Sequence, residues 1–178
     1  SDESIINSIL NSIPEKVKEF NVSVGINIDK HSITRLIIDY LNAHLKKSNY
    51  GFYAPDIQNI LDIDYFNELS NDSGGQLSNK IINSIIDENR SFFKTSYIAN
   101  HATKNSKKFI KSIFDDKKKA NEVFKNISQM LLSLKMNKPK RTDVEIEVID
   151  YLLNAANEIE DTISSVSYTH LTLPTRRG

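Results

Sequence analysis

A mainly α-helical fold, a multi-helix, bundle-like domain with at most one or two short strands (22–28 and, as a second, 92–98), is the class this 178-residue sequence predicts. Three observations predict it. Isoleucine and leucine recur at three- and four-residue spacing along most of the chain, the period of a helix that buries one face. Only five Gly and four Pro stand in the way of regular structure. Strict two-residue alternation is convincing in one stretch alone, where Val22, Val24, Ile26 and Ile28 alternate with Ser23, Gly25 and Asn27, as in a strand with one buried face.

Taken in order, Ile6, Ile9, Ile13, Val17 and Phe20 form the stripe of a first helix, with Pro14 able to kink or divide it. The strand over 22–28 follows. Ser32 is placed to cap a helix whose face is Ile33, Leu36, Ile37, Tyr40, Leu41 and Leu45, ending about Lys47. Pro55, suited to a first turn, starts a short helix through Ile57, Ile60 and Leu61. Asp62 to Gly75 is polar and loop-like apart from Tyr65, Phe66 and Leu69, and it ends in Ser70-Asn-Asp-Ser-Gly-Gly75, a turn composition. The next helix has Leu77, Ile81, Ile82, Ile85 and Ile86 as its inner face. Helices are then predicted around 106–114 and over 118–134, and Lys138-Pro139 breaks the pattern. Thr142-Asp-Val-Glu145 has the spacing of a capping box and opens a last helix through Val148, Leu152, Ala156 and Ile163.

Composition sets the broad class. Hydrophobic residues at 39% and charged residues at 26% are ordinary for a globular chain, so a core and not disorder is expected. The absence of cysteine excludes a disulfide framework and thiolate metal sites and fits a reducing compartment. No apolar run approaches the roughly 20 residues of a membrane helix, and the Ser1-Asp2-Glu3 start is acidic where a signal peptide is basic. The expectation is a cytoplasmic protein with no membrane partner.

A break in composition falls near residue 165. Upstream the basic residues are 18 Lys against three Arg; Val166 to Gly178 contains no Ile, Asn, Lys, Asp or Glu, and both its basic residues are Arg. Back-translated with allowed codons, Ser165 to Thr175 gives a DNA string that resembles the mosaic end and adapter of transposase-based sequencing libraries. The expectation is that 165–178 is a non-native tail, to be kept out of fold reasoning, and that the gene continues beyond Ser164.

The zero net charge conceals three blocks. Residues 1–75 carry six basic and eleven acidic groups, residues 76–141 fifteen and five, and residues 142–165 none and seven, so that the middle block is strongly positive. Seven lysines fall in the sixteen residues from Lys104 to Lys119. Lys104, Lys107, Lys108 and Lys111 are the candidate phosphate contacts, since such a surface neutralises a nucleic-acid backbone. The alternative is that the acidic helix after Thr142 folds against them, or that they solvate a helix.

Within 34–98 the order Leu36-Ile-Ile-Asp-Tyr-Leu41, Ala54-Pro-Asp-Ile-Gln-Asn-Ile-Leu61 and Leu77-Ser-Asn-Lys-Ile-Ile-Asn-Ser-Ile-Ile86 resembles the three helices of a winged helix-turn-helix domain. The resemblance implies that the third helix enters the major groove. Its outward residues would then be Gln76, Asn79, Lys80 and Asn83, amides suited to adenine edges and a lysine suited to guanine or phosphate. Two divisions of the chain follow: one helical domain over 1–164, or a winged-helix-like part over 1–100 and a helical hairpin part over 101–164.

Catalytic and cofactor chemistry finds little support. His31, His44 and His101 are scattered without a metal-ligand spacing, and His170 lies in the tail. Gly74-Gly75 precedes a helix but has no phosphate-loop context. Asp62, Asp64 and Glu68 are oxygen donors for a divalent cation only if they converge. No cofactor and no catalytic residue is expected. Three functions are compatible with these features: a DNA- or RNA-binding region of a larger protein, a helical domain that binds another helical protein, or the non-catalytic front of an enzyme whose site lies downstream.

Overall fold

The computed structural model describes residues 28–71, 75–137 and 141–171, with side chains described at 28, 30–71, 75–137 and 141–163. The helix expected over 6–20 and the strand expected over 22–28 lie outside these residues, except that Ile28 is buried in the 3-10 turn Ile28–Lys30. Among the described residues eight α-helices and one two-stranded sheet make a mainly α architecture. In chain order these are α1 (Ser32–Lys46), β1 (Phe52–Tyr53), α2 (Ala54–Leu61), α3 (Asp64–Leu69), α4 (Gln76–Glu88), β2 (Phe92–Phe93), α5 (Thr95–Asn100), α6 (Lys107–Ile113), α7 (Ala120–Met136) and α8 (Asp143–Leu171). None is long and apolar enough to cross a membrane.

Helix α1 sits at the centre, touching α2, α3, α7 and α8. It buries Ile33, Leu36, Ile37, Tyr40 and Leu41 as its spacing predicts, and also His44, whereas Leu45 is only half-buried. Its cap is His31, one residue before the expected Ser32: the ring Nδ1 accepts the Ile33 backbone N–H at 3.2 Å. An aromatic column runs from this helix into the sheet and beyond, Tyr40 to His44 to Phe52 to Phe114, with ring centroids 4.6 to 5.6 Å apart and edge-to-face tilts that suit the aromatic quadrupole.

Strands β1 and β2 are antiparallel, with Phe52 opposite Phe93 and Tyr53 opposite Phe92. Gly51 precedes them at φ +111°, and a Cβ built there would stand 2.2 Å from the Phe93 carbonyl oxygen. Only glycine lets the two backbones approach this closely. The strand expected over 92–98 is therefore two residues long. From Thr95 the chain is helical, fastened by the Thr95 hydroxyl, which donates to the Phe114 carbonyl and accepts the Asp116 N–H.

The stretch expected as a loop between Asp62 and Gly75 contains α3, because Phe66 is fully buried and Tyr65 and Leu69 pack beside it. One guanidinium holds this helix in place. Arg141, its side chain only 4% exposed, pairs with Glu68 on α3 and with Glu145 at 3.6 Å on α8. It also donates from Nε to the Leu134 carbonyl of α7 at 3.2 Å and lies over the Tyr65 ring, 5.0 Å from its centroid. Thr142 and Glu145 form the expected capping box, the Glu145 N–H reaching the Thr142 hydroxyl at 3.3 Å and the Thr142 N–H reaching the carboxylate at 2.6 Å. Burial pushes the Glu145 carboxyl up, but the Thr142 backbone and hydroxyl, the Tyr65 hydroxyl and the Arg141 charge together hold it down at about 2.

Helices α7 and α8 make the most extensive helix pair. They are antiparallel, with Lys135 ion-paired to Asp150 and the Ser128 hydroxyl 3.4 Å from the Asn157 amide oxygen. Each step back along α7 is one step forward along α8 in this register. Ala120, the first residue of α7, therefore falls opposite residue 165.

Candidate nucleic-acid interface

Helix α4 starts where the Gly-Gly turn predicts, with Gly75 as its N-cap at φ +69°, and ends at Asn89, also left-handed at φ +47°. Such conformations favour glycine and asparagine. Leu77, Ser78, Ile81 and Ile85 are buried, which turns Gln76, Asn79, Lys80 and Asn83 outward, all four exposed. Of the isoleucines expected inside, Ile82 is half-buried and packs against the core, whereas Ile86 is 59% exposed. Residues 77, 81 and 85 already fill the core-facing row, so Ile86 lies one turn beyond Asn83 on the outward face. Beside this face is a cleft of about 440 Å³, lined by Asp62, Asp64, Asn67 and Ser78 as well as Asn79.

The lysines fall on the next segment. Lys104 is exposed in a turn locked by Thr103 and Ser106, whose hydroxyls lie 2.8 Å apart and whose backbone N–H groups each reach the other's side chain. On α6, Lys108 and Lys111 are exposed and Lys107 is half-buried. Lys107 and Lys108 occupy the first turn, which contains no acid. Among the described residues no carboxylate lies within ion-pair distance of Lys104, Lys107, Lys108 or Lys111. The ion pairs that reach the acidic helix α8 come instead from Lys135 and Arg141.

The two sets meet through α5. The Tyr97 hydroxyl donates to the Ser84 carbonyl of α4 at 3.2 Å, and the Ser84 hydroxyl lies 3.3 Å from Nδ1 of His101, three residues before Lys104. Neither contact carries a sequence signal, since both join residues with no shared periodicity. Strand β2 continues directly into α5.

The other candidates are accounted for structurally. His31 caps α1 and stacks near Tyr65. His44 is held by burial well below its usual value, at about 3, against the opposing pull of the Ile113 carbonyl, to which its Nε2 lies at 2.8 Å. Glu68 points to Arg141 and Asn137, away from the cleft that Asp62 and Asp64 line. Among the described residues no group of three or more metal-ligating side chains is gathered. In comparisons with known proteins, no family model, no curated protein and no solved structure matches the chain.

Proposed function

We propose that this chain is a helical nucleic-acid-binding region in which α4 presents Gln76, Asn79, Lys80 and Asn83 to bases and Lys104, Lys107, Lys108 and Lys111 hold phosphates. The observation that carries the reading is the pair Lys107 and Lys108 in the first turn of α6 without an acidic partner. Cations there oppose the helix dipole, at about 0.3–1 kcal/mol each. A local rule broken without local compensation is what a surface kept for an anionic partner looks like. The helix order α1, α2, α4 with β1 between the first two adds support of topology alone.

Fluorescence anisotropy with duplex and single-stranded oligonucleotides across a salt series tests this. Replacing Lys104, Lys107, Lys108 and Lys111 with Gln reduces the slope of log affinity against log salt by up to about three, because each phosphate contact contributes roughly 0.7–0.9. Replacing Asn79 and Asn83 with Ala lowers discrimination between sequences and leaves that slope in place, since base contacts specify and phosphate contacts position. Absence of binding at about 50 mM salt rejects the reading. A second reading, docking of another helical protein, is favoured by Leu132 and Met136, 49% and 83% exposed one turn apart on α7.

A further inference from the structure

We propose that the groove between α6 and α7 takes an unpaired nucleobase, so that the strand bound across α6 is single. This rests on the nucleic-acid reading and names its substrate. The groove is a cavity of about 170 Å³ whose floor includes Leu69, Phe109 and Met130 and whose rim carries Ser112, Gln129 and Ser133. Such a space admits a base and excludes a base pair. Phe109 is half-buried, braced by Phe66 with ring centroids 5.5 Å apart, and every base has a face that packs on an aromatic ring. Gln129 and Ser133 are both exposed. The Gln129 amide offers a donor and an acceptor side by side, as base edges require. The Ser133 hydroxyl donates to the Gln129 backbone carbonyl at 2.8 Å, which leaves its lone pairs for an incoming N–H.

Charge complements the slot. Lys108 lies one turn before Ser112 on the same side of α6, at the rim of the groove, and Lys111 lines the neighbouring cleft. A second open cleft, of about 560 Å³, is lined by Lys94, Lys111 and Lys117 with Asp115 and Asp116; Lys94 is paired with Asp116 at 3.4 Å, so Lys111 and Lys117 are the cations left to meet a phosphate there. A single strand crossing α6 between the two clefts lays phosphates on Lys108 and Lys111 and turns a base onto Phe109. A duplex cannot, because its bases are stacked inside. A helical protein would want a continuous apolar strip, whereas this rim is hydroxyl and amide.

The test is anisotropy with three labelled probes of about 15 nucleotides: a thymidine single strand, an abasic strand of the same length and charge, and a duplex. The thymidine strand is expected to bind about tenfold more tightly than the abasic one. Ser133→Leu, at an exposed position, narrows the groove without offering a ring for a base to stack on and brings the thymidine strand down to the abasic affinity without changing the latter; Gln129→Ala has a smaller effect in the same direction. Circular dichroism of both variants checks the fold. Equal affinity for the thymidine and abasic strands overturns the groove proposal, as does a preference for duplex, and either result leaves the α4 reading standing. Failure of all three probes to bind overturns both and favours the protein partner.

Discussion

At the scale of single residues, two positions carry more of the fold than their chemistry suggests. Gly51 is irreplaceable because of what lies opposite: any Cβ meets the Phe93 carbonyl oxygen at 2.2 Å, and φ +111° is strained for every other residue. Gly51→Ala is expected to cost about 2–4 kcal/mol, read as a lower denaturant midpoint at unchanged m-value. His44 is the second position. Its imidazole ordinarily titrates near 6.5, and burial holds it at about 3 in the fold, so below pH 6.5 the unfolded chain takes up a proton that the native state refuses. Stability is fully present above that pH and declines as pH falls toward 3, with a limiting slope of about 1.4 kcal/mol per pH unit. His31 is shifted the same way, chiefly by burial and against the pull of Glu145. Urea titrations between about pH 5 and 6.5 are expected to show this slope, and His44→Gln to remove the larger share of it. An unchanged slope in that variant would assign the proton elsewhere.

At the scale of elements, what decides is where two segments exchange a charge or a ring. Arg141 joins α3, α7 and α8 from a side chain 4% exposed, while Lys135 pairs with Asp150 from one 32% exposed. Arg141→Met is expected to destabilise by about 3–5 kcal/mol, because it removes the buried cation that the Glu68 and Glu145 carboxylates share. Lys135→Met costs less than about 1 kcal/mol, and thermal melts of the pair check the contrast. Nothing in the sequence marks Arg141 out: it reads there as one more base in the lysine-rich block. The long helices were legible because period and caps agree, as at Thr142 and Glu145. Strands β1 and β2 were not, since two residues carry no alternation, and α3 was hidden because six residues make less than two turns. The outward face of α4 was legible at Gln76, Asn79, Lys80 and Asn83 and missed at Ile86, where an apolar pattern of one leucine and four isoleucines is wider than the space behind the helix. The groove of Phe109 and Gln129 depends on how α6 meets α7, which no local spacing encodes.

For the whole molecule, the composition break and the hairpin register coincide. Continued from the Lys135–Asp150 and Ser128–Asn157 contacts, the register reaches the first residue of α7 at residue 165 of α8. Deleting 166–178 is expected to leave the melting temperature unchanged within error, and a fall of several degrees would make the tail part of the fold, since about 1 kcal/mol moves the midpoint by roughly 2–8 °C. The described core is continuous, from Ile28 to Ala156, and the Arg141 cluster runs through it from one helix pair to another. That cluster restricts how the protein breathes. A helix as short as α3 would on its own open and close independently of its surroundings, exposing its amides and the rings beneath them. Bound to the same guanidinium as the end of α7 and the start of α8, it opens only when they do, and the molecule has one fewer partly open form through which a protease or a neighbouring chain could enter.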